Sequence, residues 1–308
     1  MTKQLTIGYV GLGEAGWPMC GRLVDAGYQV IVRDSDQQRT RQFAAEYGCA
    51  SAVQLDDLAE AEIVVTMLPN GNVVRHVLLD EDGGLSTRLR PGTIVIDSSS
   101  SDPRGTRELG SALAGGELVL LDAPVTRSVP GANHLTIMVG GDDQEALARA
   151  LPVLEAMAKR VFRAGRLGCG HAMKTLNNLL GAAGFVAALD AVVIGYRYGL
   201  DPQAMMEVFN AGTAHNFSTE HVVPTESLTR RYDSGFKLAL MIKDMGICRD
   251  LAESVGFGGE LPAYLHQQLS EALAALGDEQ LDHAAAIEHW EHKAGVELPS
   301  AAGAASRP

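Results

Sequence analysis

The stretch Leu5-Thr6-Ile7-Gly8-Tyr9-Val10-Gly11-Leu12-Gly13-Glu14-Ala15-Gly16 decides how this chain folds. An apolar run rich in β-branched residues leads directly into three glycines at G-x-G-x-x-G spacing. An amphipathic segment follows, with Trp17, Met19, Cys20, Leu23 and Val24 before Gly27. A second apolar run, Val30-Ile31-Val32, ends at Arg33-Asp34. Strand, glycine turn, helix, strand and acid is the order of a dinucleotide-binding unit. Gly11 permits the tight turn, Gly13 lets backbone approach a diphosphate, and Gly16 lets the helix lie close to the strand. The helix N-terminus then offers unpaired N–H groups and a partial positive charge. Asp34 stands where a carboxylate accepts hydrogen bonds from ribose hydroxyls, which argues for NAD over NADP because it would repel a 2′-phosphate. Arg33, next to it, could swing toward such a phosphate.

Outward from this stretch, strand-like and helical runs alternate as far as about Arg163. The strands are expected at Leu5–Val10, Val30–Arg33, Ile63–Leu68, Thr93–Asp97, Leu118–Asp122, Leu135–Val139 and Arg160–Phe162. Helices are expected at Gln37–Tyr47, Pro103–Leu113 and Asp143–Ala156. Apolar strands without period-two alternation indicate a mainly parallel, doubly wound sheet covered on both faces. The composition changes at Gly165-Arg166-Leu167-Gly168-Cys169-Gly170, after which no convincing strand appears. One long helix rich in small residues runs from about Ala172 to Tyr198. It is apolar enough to resemble a membrane span, but Lys174 and two asparagines open it and Asp190 interrupts it. A buried interdomain helix is the expectation. Further helices are expected at Pro202–Asn210, Leu238–Val255, Leu261–Leu276 and His283–Ala294, with Leu265, Leu269, Leu273 and Leu276 forming one buried stripe. The fold class is therefore α/β: a Rossmann-type domain over 1–164, an all-helical domain over 165–296, and a small, polar tail over 297–308 expected to be disordered.

The chain's 308 residues are enough for two cores, and 46% hydrophobic with 20% charged residues is ordinary for a globular protein. A net charge of −13 argues against nucleic acid or an anionic membrane as partner. Any anion site must then be built from local cations and backbone N–H groups. Four widely spaced cysteines without a C-x-x-C pair favour reduced thiols over disulfides or zinc. The first residues resemble no signal peptide, so the expected location is the cytoplasm.

Candidate chemistry gathers at the ends of the strands, where doubly wound sheets bind ligands. Met67-Leu68-Pro69-Asn70 ends one strand and Asp97-Ser98-Ser99-Ser100-Ser101-Asp102-Pro103 another. Ser99 and Ser100 are expected to face ligand, while Ser101 and Asp102 suit a helix cap. A third loop, Asp122-Ala123-Pro124-Val125-Thr126-Arg127-Ser128, brings hydroxyls and a guanidinium to the same edge. Arg127 is either a solvated surface charge or a fork for a carboxylate, sulfonate or phosphate. Lys174, Asn177 and Asn178 share one face of the long helix. A lysine entering an apolar helix is partly desolvated, which lowers its pKa and suits a general acid/base for an alcohol–carbonyl pair. The alternative is a snorkelling lysine with a capping asparagine. Lys243-Asp244 is a weaker polar notch of the same kind. His289 and His292 share a helix face without a third ligand, and no metal site is expected.

Together these motifs resemble the β-hydroxyacid dehydrogenases, the family of 3-hydroxyisobutyrate dehydrogenase and tartronate semialdehyde reductase. The resemblance runs from Leu5 to about Ala294. It is carried by Gly11-Leu12-Gly13-x-x-Gly16, Met67-Leu68-Pro69, Asp97-Ser98-Ser99-Ser100, Asp122-Ala123-Pro124-Val125, Gly168-x-Gly170 with Lys174-x-x-Asn177-Asn178, and Lys243-Asp244. It implies an NAD-dependent oxidoreductase acting on a small anionic β-hydroxy acid or its aldehyde, with Lys174 as the catalytic lysine. The implied substrate contacts are Ser100, Thr126, Arg127, Ser128, Asn177, Asn178 and Lys243. The implied cofactor contacts are Gly11, Leu12, Gly13, Glu14, Ala15, Gly16, Asp34, Met67, Leu68, Pro69, Val73, Ser98, Ser100 and Lys243. A homodimer or homotetramer through the helical domain is also implied.

The chain departs from the family at two places. Ala15 stands where members commonly have methionine. The family's usual Ser-Gly-Gly substrate loop reads Thr126-Arg127-Ser128, resembling the sulfolactaldehyde reductase branch, although Val129-Pro130-Gly131 does not follow that branch. A sulfonate- or phosphonate-specific reductase is therefore an alternative. An imine reductase usually replaces the lysine, and a non-catalytic dinucleotide-binding module usually loses it, so Lys174 speaks against both.

Overall fold

The computed structural model describes residues 5–80, 83–127 and 135–300, and it divides into two units, Met1–Lys174 and Thr175–Pro308. The first is built from β1 (Thr6–Val10), α1 (Gly16–Asp25), β2 (Gln29–Arg33), α2 (Gln37–Tyr47), β3 (Ala50–Ser51), β4 (Ile63–Thr66), α3 (Gly71–Leu79), β5 (Ile94–Asp97), α4 (Pro103–Ala114), β6 (Val119–Asp122), β7 (Val125–Arg127), β8 (Leu135–Gly140), α5 (Gln144–Met157) and β9 (Arg160–Gly165). The sheet order is β3-β2-β1-β4-β5-β6-β8-β7, with β9 on β8. All pairs from β3 through β6, and β8 with β9, are parallel, whereas β8 runs antiparallel to β6 and β7. Every residue of β4 and β5 is buried, as continuous apolar strands require when helices cover both faces. Strand order reverses between β1 and β4, and ligands of such sheets bind outside the carboxyl ends at that point.

The opening stretch folds as its glycines demand. Gly11 has a φ of +104°, and a Cβ there would lie 2.2 Å from the Met67 carbonyl oxygen. A Cβ on Gly16 would lie 2.0 Å from the Gly11 carbonyl oxygen, so α1 sits against the turn itself. The Asp36 carboxylate caps α2 through the N–H groups of Gln38 and Arg39, and Gly48 ends it in the left-handed conformation. Two short strands, β3 and β7, and the helix α3 go beyond the sequence reading. The Asn70 side chain begins α3 by accepting from the Val73 N–H at 3.0 Å.

The second unit contains most of α6 (Cys169–Tyr198), then α7 (Pro202–Ala211), a π-helical segment Ser218–Ser227, α8 (Leu238–Ser254), α9 (Glu260–Leu276) and α10 (Ile287–Ala294). Phe185, Leu189 and Val192 of α6 pack with Met245, Leu265, Leu269 and Trp290 in its core. Asp190 interrupts the apolar run because it accepts a 2.7 Å hydrogen bond from the Trp290 indole N–H. The helix expected to be buried has one side in this core, while Leu180, Ile194 and Tyr198 are 74%, 69% and 87% exposed. The π-helix carries Pro224 inside it and few apolar residues, so no 3.6-residue periodicity announces it.

The expected disordered tail also needs correction at its start. Leu298 is 2% exposed, its N–H donates to the Glu291 Oε1 at 2.6 Å, and its carbonyl accepts from Arg230. Residues 301–308 lie outside the described ones. All four cysteines are free, and burial pushes the Cys20 and Cys248 thiols up, away from the reactive thiolate.

Two glycines in the left-handed region separate close approach from backbone preference. A Cβ on Gly277, with φ +73°, meets nothing within 4 Å. Gly277→Ala is expected to cost about 1–2 kcal/mol, the left-handed penalty alone. Gly11→Ala is expected to cost more than about 4 kcal/mol, or to abolish folding, because a carbonyl occupies the space. Urea midpoints of the two variants check the difference.

Candidate active site

The glycine turn forms an anion-ready cradle. The N-cap position of α1 is Ala15, which makes no side-chain capping bond, and no acidic residue lies in the first turn. Within α1 the Trp17 N–H already donates to the Gly13 carbonyl at 2.9 Å, the Met19 N–H donates to the Ala15 carbonyl at 3.4 Å and Pro18 has no N–H, which leaves the turn itself, Gly13 to Gly16, to present N–H groups to an anion. A Cβ on Gly13 would meet nothing within 4 Å, so the backbone there borders open space. Asp34 is 9% exposed and closes the cradle from β2: its Oδ2 accepts from the Leu12 N–H at 2.7 Å and its Oδ1 from the Asp36 N–H at 2.9 Å. The carboxylate is thus oriented by two backbone donors and keeps lone pairs for further hydroxyl groups. Arg33 is tied to the Val53 carbonyl. Glu14 is exposed and Ala15 half-buried beside the turn.

The ends of β4 and β5 form the next wall. Met67, Leu68 and Val73 are half-buried and Pro69 is exposed. The Leu68 N–H donates to the Ser99 Oγ at 2.9 Å, which commits Ser99 to holding this loop rather than facing a ligand, as its sequence position had suggested. Ser98 is 1% exposed, and its Oγ has no hydrogen-bond partner among the described residues. Ser100 is half-buried. Ser101 donates to the Asp97 Oδ2 at 3.0 Å, and Asp102 caps α4 through the Arg104 N–H.

Behind this wall lies a polar network to which the sequence motifs assigned no role. Asp97 and Asp122 end the neighbouring strands β5 and β6 in register. The Asp97 Oδ1 accepts from the Thr66 hydroxyl at 2.9 Å and the Ser99 N–H at 3.0 Å. Asp122 reaches the start of α6, accepting from the Gly168 N–H at 2.8 Å and the His171 N–H at 2.7 Å. It serves as a cap for α6 borrowed from a distant strand. This close approach bears on the second glycine of the G-x-G before the lysine: a Cβ on Gly170 would lie 2.3 Å from the Met138 carbonyl oxygen, 2.7 Å from that of Asp122 and 2.8 Å from the Asp122 Oδ2. A buried histidine on an apolar helix was the one available signal for this network.

Lys174 lies one turn beyond His171 and is half-buried. Farther along α6, in the second unit, the Asn177 amide donates to the Asn178 Oδ1 at 3.2 Å, and the Asn178 amide to the Asp244 Oδ2 at 2.6 Å. The Lys243 ammonium stands 3.7 Å from the Asp244 Oδ1. The structure thus brings together Asn177, Asn178, Lys243 and the buried Asp244, which orients Asn178. Thr126 and Arg127 pair with Thr136 and Leu135 in the β7–β8 ladder. Ser128 lies outside the described residues.

A dinucleotide fits these residues: open space borders Gly13, the N-terminus of α1 is free of a side-chain cap, Asp34 is preoriented, and the Ser98 hydroxyl is orphaned. Comparison with known proteins agrees. Residues 6–165 match a family described as the NAD binding domain of 6-phosphogluconate dehydrogenase, and residues 168–290 one described as the NAD-binding of NADP-dependent 3-hydroxyisobutyrate dehydrogenase. A probable mitochondrial 3-hydroxyisobutyrate dehydrogenase of Dictyostelium discoideum is 34% identical over 290 residues, covering 91% of this chain and 89% of that protein. An NAD-dependent L-serine dehydrogenase of Pseudomonas aeruginosa is 34% identical, covering 80% of this chain and 85% of that one. The solved 3-hydroxyisobutyrate dehydrogenase of Mycobacterium tuberculosis with L-serine superposes with a TM-score of 0.83 at 34% identity, covering 93% of this chain and 99% of that one. Matched through both units at this identity, the chain belongs to the β-hydroxyacid dehydrogenase family, oxidoreductases of hydroxy acids that use NAD.

Proposed function

We propose that this enzyme interconverts a small anionic β-hydroxy acid and its aldehyde or ketone, with Lys174 as general acid/base. The observation that carries the reading is the setting of Lys174: half-buried in the second turn of α6, beyond a helix start held by Asp122. The names of the relatives, for 3-hydroxyisobutyrate and L-serine, support the substrate class. Bound at the glycine turn and Asp34, NAD would supply the hydride acceptor for the substrate carbon, and NADH the donor. The residues of this chain do the rest. Lys174 takes the hydroxyl proton during oxidation and returns it during reduction. Asn178 is held with one amide N–H on Asp244, so its orientation is set before substrate arrives. Ser100 and Lys243 border the reacting groups. Thr126, Arg127 and Ser128 take the anionic end.

Arg127 supports a second reading of the anion. Arg127 is the last residue of β7, and a guanidinium suits a sulfonate or phosphonate as well as a carboxylate. The helical unit also carries a clue to assembly. Leu180, Ile194 and Tyr198 recur along α6 and are well exposed, which supports a homo-oligomer that covers them.

A turnover screen over short hydroxycarboxylates, hydroxysulfonates and their aldehydes with NAD(H) tests the reaction. Lys174→Ala is expected to lose at least about 10²-fold in kcat, and undiminished turnover would sink the lysine's role. Arg127→Gly is expected to raise KM for the best acid at least about tenfold with kcat little changed, as loss of a charge-assisted pair predicts; an unchanged KM removes the clamp. In sedimentation velocity the wild type is expected to run as a dimer or larger and Leu180→Lys to shift toward monomer; a monomeric wild type refutes assembly.

A further inference from the structure

The polar network behind the β5 and β6 ends contains one group with no task in the reaction as described. His171 and Asp122 have side chains with 0% exposure and Asp97 2%, so none of them touches a substrate. Asp122 alone suffices to cap α6, since it takes the N–H groups of Gly168 and His171. The imidazole does something different. Its Nε2 lies 3.1 Å from the Ser99 carbonyl oxygen, which can only accept, so Nε2 carries a proton and donates. Its Nδ1 lies 2.8 Å from the Thr106 hydroxyl on α4. On either side, the Asp97 Oδ2 stands 3.7 Å from Nε2 and the Asp122 Oδ2 3.7 Å from Nδ1. One ring thus joins the end of β5, the first turns of α4, the end of β6 and the start of α6.

We propose that His171 is a positioning residue for Lys174: clamped through both nitrogens against Ser99 and Thr106, and flanked by Asp97 and Asp122, it sets the rotation and axial position of the helical turn that carries the lysine. The inference rests on the acid/base reading of Lys174. A cap at the first turn restrains sliding of a helix along its axis but leaves rotation about that axis loosely held. A side chain of the same turn, fixed at two opposed atoms to two other elements, removes that freedom. Lys174 follows three residues later, within one helical turn, so its root moves with His171. A reacting group displaced by about 1 Å can lose about 10²-fold in rate, so the clamp bears on turnover rather than on folding alone. Burying an imidazole between two carboxylates is costly unless every polar atom is matched, and here both ring nitrogens are.

The test compares His171→Leu, which fills the space without hydrogen bonds, with His171→Gln, which can still donate to the Ser99 carbonyl. Lys174→Ala is measured alongside, and thermal melts with NADH titration report folding and cofactor binding. His171→Leu is expected to bind NADH normally and to lose about 10–100-fold in kcat, with KM changed less than about threefold. His171→Gln is expected to recover kcat to within about fivefold of wild type. A folded His171→Leu with wild-type kcat overturns the inference while leaving Lys174 in place. A loss of kcat that glutamine does not rescue, or that comes with an equal loss in KM or in NADH binding, also overturns it, since that is a structural effect only. If Lys174→Ala itself keeps turnover, the acid/base reading falls and this inference with it. Should His171→Leu not fold, Thr106→Val decides: it removes the Nδ1 partner, together with the hydroxyl's bond to the Asp102 carbonyl at the start of α4. A kcat loss at unchanged KM supports the inference, and a wild-type kcat overturns it.

Discussion

The carboxylate of Asp122 is the contact on which the junction of the sheet with the start of α6 depends. It ends β6, lies beside Asp97 across the sheet, and accepts both the Gly168 and the His171 N–H groups at the start of α6. A helix N-terminus is a favourable place for a negative charge, and bonds from backbone N–H to an ionised oxygen are stronger than neutral ones. The contact needs bare backbone around it. A Cβ on Gly140 would lie 2.4 Å from the Asp122 Oδ1, and one on Gly170 would meet Asp122 as well. Gly170 is therefore required by residues of the sheet, Met138 and the Asp122 about fifty positions earlier, whereas Gly168 is required by its left-handed φ of +86° and by the Pro103 carbonyl.

The same device recurs. Asp34 holds the glycine turn through the Leu12 N–H, Asp97 holds the serine loop through the Ser99 N–H, and Asp282 gathers the N–H groups of Gly235, Phe236 and Ala284 in the helical unit. In a chain of net charge −13, these acids act as internal acceptors for loop backbone that has no strand or helix partner. Each fixes a loop at low cost in volume, and each is satisfied by several donors, which is what permits its burial. The cost of removing such an acid falls on the loop it holds as well as on the charge itself.

The long helix α6 shows how composition can mislead. An 18-residue window within it has a mean hydropathy of 1.9, enough by length and composition to cross a membrane, and 44% of that window is buried inside the protein. Its buried side packs Phe185, Leu189 and Val192, while Leu180, Ile194 and Tyr198 face outward. A helix apolar all round must be covered on every side by something, and an apolar count cannot say by what. Asp190 illustrates the limit at a single residue: it reads as an interruption, yet it is the acceptor that the buried Trp290 indole requires.

Local patterning determined the mainly parallel sheet, the glycine turn with its acid and the all-helical second half. Strand period, turn chemistry and helix spacing are short-range properties, so they are written in neighbouring residues. β3 and β7 are too short to carry a period, and the π-helix interrupts one, which is why they were not legible. The assignments that only tertiary structure decided all involve partners far apart in the chain. Ser99 proved to be a loop anchor through Leu68, Asp244 the group that orients Asn178, and His171 the centre of a buried network spanning four elements. No spacing rule announces a hydrogen bond between residues separated by about thirty to seventy positions, because that proximity exists only once strand ends, or packed helices, have been brought side by side.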